Sequence, residues 1–89
     1  MADEKQNAKS MKEAIDTLNQ IASNNSTPKT IKKSITDLIA DLENKEYSLS
    51  VRAANTISLL DDVTQDPNMP SYVRTQLWQA VSKLESIRE

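Results

Sequence analysis

The chain has no glycine, no cysteine and no histidine among its 89 residues. Without glycine, the usual left-handed cap at helix C-termini is lost, so we expect asparagine to replace it. Tight two-residue hairpins are disfavoured for the same reason, and strand content should be near zero. The lack of cysteine excludes disulfides and thiol chemistry, and it fits a reducing compartment.

The same absences restrict catalysis. Without histidine and cysteine there is no nitrogen–sulfur metal site, no familiar nucleophile–base pair and no Glu-x-x-His motif of the di-iron bundles. Without glycine there is no loop that cradles phosphate. A serine–lysine pair or a carboxylate dyad stays open, but no spacing in the sequence singles one out. We therefore predict that the protein is not an enzyme and holds neither a cofactor nor a metal.

Excess charge and long apolar runs are also missing. The net charge is −2, from 11 basic and 13 acidic residues, so there is no global attraction to nucleic acid or anionic membrane. No apolar run exceeds three residues, which excludes a membrane-spanning helix. The first five residues are too polar for a signal peptide, and we predict a cytoplasmic protein.

What the sequence does contain is an internal repeat. A shift of 42 residues places residues 15–43 on residues 57–85 without a gap and Pro28 on Pro70. A period in the forties is typical of helical-hairpin repeats, and we predict repeats over residues 11–44 and 49–88. The aligned apolar pairs are Ile15 with Ile57, Leu18 with Leu60, Ile21 with Val63, Ile31 with Val73, Ile35 with Leu77, Ile39 with Val81, and Leu42 with Leu84.

Apolar residues spaced by three and four predict four helices, over residues 3–23, 28–43, 49–64 and from residue 70 onward. Thr27 and Ser48 are the predicted N-caps, with Pro28 and Pro70 as first helical residues, and residues 1–6 are expected to fray. The predicted core is Met11, Ala14, Ile15, Leu18, Ile21, Ala22, Ile31, Ile35, Leu38, Ile39, Leu42, Ala53, Thr56, Ile57, Leu60, Val63, Val73, Leu77, Ala80, Val81 and Leu84.

These helices predict a single all-α domain over residues 1–89. A chain of this length buries only about 60–65% of its unfolded surface, so the core is thin. The two hairpins can close on each other as a four-helix bundle, or stack as an open HEAT-like pair whose free face is covered by a second copy. We favour the closed bundle.

The corner between the third and fourth helices concentrates charge. Asp61 and Asp62 end one helix and Arg74 begins the next, each at the end that its own helix dipole disfavours. We therefore predict an ion pair between Arg74 and Asp61, Asp62 or Asp66 that clamps the corner. The alternative is a cation site built from the three aspartates and the amide of Asn68, although the spacing matches no metal loop.

The single tryptophan, Trp78, lies about 100° round the fourth helix from Leu77, at the edge of the buried face. Arg74 is four residues earlier, so its guanidinium is able to stack on the indole. Trp78 either seals the bundle or anchors a protein interface, where tryptophan and arginine are enriched. Tyr72, Leu59 and Val51 also point away from the predicted core, and one joint patch would favour the interface.

Lys29, Lys32 and Lys33 begin the second helix, and Lys5, Lys9 and Lys12 lie on the first. A solvated lysine face explains both trios. The alternative is contact with nucleic-acid phosphates through Lys29, Lys32 and Lys33, but no aromatic or arginine lies between them.

Residues 66–70 (Asp-Pro-Asn-Met-Pro), followed by Arg74 and Trp78, form the most specific pattern in the chain. With residues 59–62, 51–54, 82–85 and the Thr27-Pro28 helix start, it resembles uncharacterised protein family 0147 of the archaea, over residues 11–88. The family tends to carry arginine near Lys32 or Lys33. The resemblance implies a small all-helical archaeal cytoplasmic protein, and it implies no activity.

The leading hypothesis is therefore a non-enzymatic interaction or scaffold module whose partner is another protein or a second copy of the chain. The predicted contact residues are Trp78 and Arg74 as anchors, Asp62 and Asp66 as groups that orient Arg74, and Tyr72 at the periphery. Nucleic-acid or ribosome accessory binding through the lysines of the second helix is the alternative, and a small-molecule or cation site at the acidic corner is the third.

Overall fold

A computed structural model describes residues 4–87, which fold into four α-helices and contain no strand. The helices are α1 (Glu4–Ser23), α2 (Lys29–Leu42), α3 (Leu49–Thr64) and α4 (Ser71–Glu85). The all-α prediction is confirmed. Residues 4–6 already belong to α1, where the sequence predicted a frayed end, and residues 1–3 of that prediction lie outside the described range.

Each helix packs against its neighbour in sequence, and α1 also packs along α4. Two contacts give the direction of that pair, because Ser86 Oγ lies 2.8 Å from Ser10 Oγ and Lys83 Nζ lies 2.7 Å from Glu13 Oε2. The later residue of α1, Glu13, contacts the earlier residue of α4, Lys83, so α1 and α4 are antiparallel.

Across the middle, α1 touches α3, whereas α2 and α4 do not meet within residues 4–87. An open HEAT-like pair would place α2 beside α4, so this ring of contacts favours the closed arrangement. The helices α2 and α4 begin 42 residues apart (71 − 29), each directly after a proline. The duplication of the hairpin stays a prediction.

The apolar stripes of the four helices meet in one core. Most predicted core residues are buried in it, while Ile15, Ala22, Ile57 and Val63 are only partly buried at its edge. The sequence missed Met69 and Ile87, which are buried although they lie outside the helices. Met69 occupies the position before Pro70 that Thr27, also buried, occupies before Pro28.

The chain turns its corners without any left-handed residue, since no positive φ occurs in residues 4–87. The expected left-handed asparagine caps are therefore wrong. Instead, in the loop after each of the first three helices, one side-chain oxygen accepts a hydrogen bond from the backbone N–H two residues later, and these turns need no glycine. The three pairs are Asn24 with Ser26, Asn44 with Glu46 and Asp66 with Asn68, at 2.9–3.0 Å.

The helix starts differ in one respect from the sequence prediction. Ser48 caps α3 as expected, because its hydroxyl accepts from the Val51 N–H. Pro28 and Pro70, however, are cap residues with extended ψ values of 144° and 146°, not first helical residues. The prediction that Thr27 is an N-cap is wrong, since its hydroxyl donates to the Ile21 carbonyl at 2.9 Å.

Candidate interaction surface

Arg74 lies in the first turn of α4 and reaches back to the end of α3. Its Nε donates to the Thr64 carbonyl at 3.0 Å and its Nη2 to the Asp66 carbonyl at 3.3 Å. Terminal carbonyls of a helix lack intrahelical partners and carry partial negative charge, so a guanidinium is a suitable cap for them. The predicted ion pair is wrong in its partner atoms, because Arg74 contacts backbone carbonyls and no carboxylate in the described part of the chain.

The acidic residues of this corner act separately from Arg74. The Asp66 carboxylate accepts from the Asn68 N–H at 2.9 Å and so shapes the loop. Asp61 and Asp62 are exposed on α3. No group of three or more potential metal ligands occurs within residues 4–87, so the alternative cation site of Asp61, Asp62, Asp66 and Asn68 finds no support there.

Trp78 is 58% exposed and does not seal the bundle. The stacking expected between Trp78 and Arg74 is also absent from the described residues, because the Arg74 guanidinium is turned toward α3. Tyr72, one residue before the buried Val73, is 44% exposed on the same helix. Of the predicted contact residues, the structure brings together only Arg74 and Asp66, through a backbone oxygen.

Five large apolar or aromatic side chains are exposed in residues 4–87, and all lie in the second half of the chain. We call them the exposed apolar set: Tyr47, Val51, Leu59, Tyr72 and Trp78. The sequence reasoning missed Tyr47, which is 53% exposed. Tyr47 lies in the loop before α3, so helical spacing offers no signal for it.

Tyr47 and Leu59 line a groove of about 430 Å³ between the end of α2 and the outer side of α3. Its other walls are polar and come from Asp41, Asn44, Arg52, Asn55 and Ser58. The groove therefore mixes two exposed apolar side chains with hydrogen-bonding groups, which is the composition of a protein contact surface.

Arg52 was not predicted from the sequence as a functional residue. It caps the end of α2 in the same way as Arg74 caps the end of α3. Its Nη1 donates to the Leu42 carbonyl at 2.9 Å, and its Nε lies 3.4 Å from the Ser48 carbonyl. Both arginines contact a carbonyl ten residues earlier. Because every residue has a backbone carbonyl, the sequence alone does not mark these two contacts.

A second groove, of about 530 Å³, lies on the other side of Arg52 between α1 and the start of α3; we call it the α1–α3 groove. Ala8, Met11, Ile15 and Leu49 form its apolar wall. Lys12, Lys45 and Arg52 complete the lining, so it contains three cations and no acidic residue.

The lysines of α2 lie apart from both grooves. Lys29 and Lys33 are exposed and Lys32 is half-buried. None of the three forms an ion pair with another residue between 4 and 87. This arrangement agrees with a solvated face, and it provides no aromatic neighbour on which a base could stack.

One surface ion pair ties α1 to α4. Glu13 meets Lys83 at 2.7 Å, and the hydrogen bond and charge of Lys83 hold the pKa of the Glu13 carboxyl below its ordinary value. Beside this pair, the Ser10–Ser86 hydrogen bond joins the same two helices. None of the helices in residues 4–87 is long and apolar enough to span a membrane.

Comparison with known proteins gives matches over nearly the whole chain. The model of the uncharacterised protein family UPF0147 matches residues 1–87. A UPF0147 protein of Sulfurisphaera tokodaii is 40% identical over 83 residues, which are 93% of each chain. A UPF0147 protein of Aeropyrum pernix is 39% identical over 79 residues, 89% of this chain and 87% of the relative.

Two crystal structures share the fold. That of a UPF0147 protein from Thermoplasma acidophilum has a TM-score of 0.87 at 31% identity, and covers 94% of this chain and 99% of its own. That of MMP1188, a protein of unknown function, has a TM-score of 0.87 at 38% identity, and covers 92% of this chain and 93% of its own. The relatives are similar to this chain in sequence, and the two crystal structures are also similar in fold. None of their descriptions names an activity.

Proposed function

We propose that this chain, which belongs to the uncharacterised protein family UPF0147, is a non-enzymatic protein-binding module. The observation that carries the proposal is the 58% exposure of Trp78 on a domain whose core is thin. A tryptophan side chain buries a large apolar area when it is covered, and it is strongly enriched among the residues that dominate binding energy.

The remaining members of the exposed apolar set support the same conclusion. They are confined to residues 47–78, while α1 and α2 expose no large apolar side chain in the described range. Exposed apolar residues scattered singly need no explanation. The support here is that Val51 and Leu59 lie on α3, which packs against the helix of Tyr72 and Trp78. We place the binding surface on α3 and α4, with Trp78 as its anchor and Tyr72 as a peripheral contact.

Arg74 and Asp66 have a different part in this proposal from the one the sequence gave them. Both hold the α3–α4 corner through backbone contacts, so they position the surface and do not anchor a partner. Asp62 is exposed beside that corner and is available as a polar contact at the rim. The proposed setting is the cytoplasm.

Affinity capture from an archaeal cell extract tests the proposal. The bait is the full chain, and the variant Trp78→Ala is compared with Gln79→Ala, an exposed neighbour on the same helix. Truncating a binding anchor costs about 2 kcal/mol or more, which is about a thirty-fold loss of affinity. The expected result is a specific protein retained by wild type and Gln79→Ala and lost from Trp78→Ala.

Identical capture by all three baits would refute the Trp78 surface. Size-exclusion chromatography with light scattering, run on the same three proteins over a concentration series, shows whether the partner is a second copy. Dimerisation that Trp78→Ala abolishes would identify self-association as the function of this surface.

Nucleic-acid binding through Lys29, Lys32 and Lys33 stays the alternative, but no contact in the structure favours it over a solvated face. Its test is retention on heparin or total RNA, which should weaken steeply with added salt if phosphate is bound.

A further inference from the structure

We propose that the α1–α3 groove is a second binding site, which takes an acidic amphipathic helix from a partner protein. No member of the exposed apolar set lines this groove, although Arg52 also lines the groove of Tyr47 and Leu59. The proposal does not depend on the function proposed for that set. The inference rests on the shape of the groove, on its charge and on the side of the bundle that α2 leaves uncovered.

The groove begins where α1 extends past the end of α2. With 20 residues against 14, α1 exceeds α2 by six residues (20 − 14), or about 9 Å of helix. The two helices share the short loop 24–28, so the excess lies at the N-terminal end of α1, where α2 has already ended. Ala8 lies on this part of α1, and Met11 and Ile15 continue the same face at spacings of three and four.

The apolar wall of the groove is open to a partner. Ala8 is exposed, and Ile15 and Leu49 are only partly buried at the edge of the core. These side chains lie on two elements that face each other across the groove. A third helix that lays an apolar stripe between them would contact both walls, which is the common mode of helix-in-groove recognition.

Charge complementarity identifies the chemistry of the occupant. Lys12 and Lys45 are exposed at the rim and form no ion pair with any residue in the described range. Arg52 donates to two backbone carbonyls, which hold its side chain in place, and it pairs with no carboxylate in the described residues. Three cations around an apolar wall without a carboxylate favour a partner whose apolar stripe is flanked by aspartate or glutamate.

The same charges oppose a two-fold symmetric dimer through this groove. A symmetric dimer through this groove would bring two sets of Lys12, Lys45 and Arg52 together, and like charges across an interface are strongly unfavourable. A fatty acid shares the required chemistry, but small-molecule sites bury about 70–90% of the ligand surface. The α1–α3 groove is open to solvent, so an acyl chain in it would stay partly exposed to water. A bound amphipathic helix would expose only its polar side.

Selection from a display library tests the proposal without a known partner. The probe is a library of helical peptides about 15 residues (~22 Å) long, with randomised side chains, selected against the full chain. We expect enrichment of peptides with apolar residues at spacings of three and four and with several carboxylates beside them. Fluorescence anisotropy then gives the affinity of selected peptides, which should fall with added salt.

The decisive comparison uses two double variants of equal charge change. Lys12→Glu with Lys45→Glu should weaken binding of the selected peptides at least about ten-fold, or 1.4 kcal/mol. Lys29→Glu with Lys33→Glu, on the exposed face of α2, and Trp78→Ala should leave it unchanged. Helical circular dichroism of each variant confirms that the fold is retained.

Three outcomes would overturn the proposal. The first is that no peptide is enriched, and the second is that enriched peptides lack carboxylates or bind the Lys12→Glu, Lys45→Glu variant as well as wild type. The third uses cis-parinaric acid, a fluorescent fatty acid: if it binds the wild type in a Lys12- and Lys45-dependent manner and no acidic peptide does, the groove is a lipid site.

Discussion

The Arg74 guanidinium hydrogen-bonds the Thr64 carbonyl, with 3.0 Å between Nε and the oxygen. A side chain from the first turn of α4 thus completes the last turn of α3, across a loop of six residues without glycine. The Asp66 carbonyl accepts from the same guanidinium. This places the fourth helix relative to the third by backbone contacts that do not depend on the neighbouring carboxylates.

Substitution of Arg74 should therefore destabilise the fold and should do so at any pH near neutrality. A hydrogen bond to a charged group contributes about 1.5–3 kcal/mol, and we expect Arg74→Ala to lower the free energy of unfolding by this amount. Urea denaturation followed by circular dichroism measures it. Lys33→Ala, which removes an exposed cation without a partner in the described residues, is the control and should stay within about 0.5 kcal/mol of wild type.

If Arg74 acted through an ion pair instead, Asp61→Asn, Asp62→Asn or Asp66→Asn would reproduce the loss. We expect Asp61→Asn and Asp62→Asn to have little effect. Asp66→Asn should also be tolerated, since an asparagine oxygen can accept the Asn68 N–H in the same turn, as Asn24 and Asn44 do in theirs.

Substitution of Thr56, in contrast to Arg74, should stabilise the fold. It is fully buried in α3, and its hydroxyl oxygen has no hydrogen-bond partner among the residues that the structure describes. A buried hydroxyl without a partner costs about 1–3 kcal/mol. Thr56→Val keeps the branched shape and removes the hydroxyl, so thermal unfolding should shift upward.

The matched variant for this prediction is Thr56→Ser, which keeps the hydroxyl and removes the methyl group. It should be less stable than wild type because it opens a small cavity in the core. A lower melting temperature for Thr56→Val than for wild type would show that the hydroxyl is bonded in the folded protein.

The helices and their core could be predicted from the sequence because spacings of three and four are local. The corner contacts could not. The sequence does not show whether Arg74 bonds to a backbone carbonyl or to the carboxylate of Asp61 or Asp62. That choice depends on where the last turn of α3 ends. Met69 was missed because a loop residue shows no period, although its equivalence with the buried Thr27 was available from the repeat.

The two grooves could not be predicted from the sequence either. The predicted helices over residues 3–23 and 28–43 already differed in length by five residues. The sequence did not show, however, that Lys45, Leu49 and Arg52 would lie beside α1 and line a groove with it. Trp78 was placed correctly at the edge of the stripe, but the degree of its exposure depends on how closely the neighbouring helices approach it.

The Glu13–Lys83 pair predicts a dependence on pH. Lys83 lowers the pKa of Glu13, so Lys83→Ala should return that pKa toward 4.5, which NMR titration of the Glu13 side chain measures. Because the folded carboxyl has the lower pKa, the pair stabilises the fold above the ordinary glutamate pKa and loses this effect as pH falls through the lowered value. Lys33→Ala should leave the Glu13 pKa unchanged, and high salt should reduce the difference between the variants.

Substitutions of Trp78 and of its neighbour Leu77 distinguish a role in binding from a role in folding. Leu77 is fully buried, so Leu77→Ala should cost about 2–5 kcal/mol of stability. Trp78 lies one residue further round the helix with more than half of its surface in water, so Trp78→Ala should change the unfolding free energy by no more than about 1 kcal/mol. Urea denaturation of both variants decides the point: a Trp78→Ala loss as large as that of Leu77→Ala would make the indole a structural residue, and the surface proposed for partner binding would then lose its anchor.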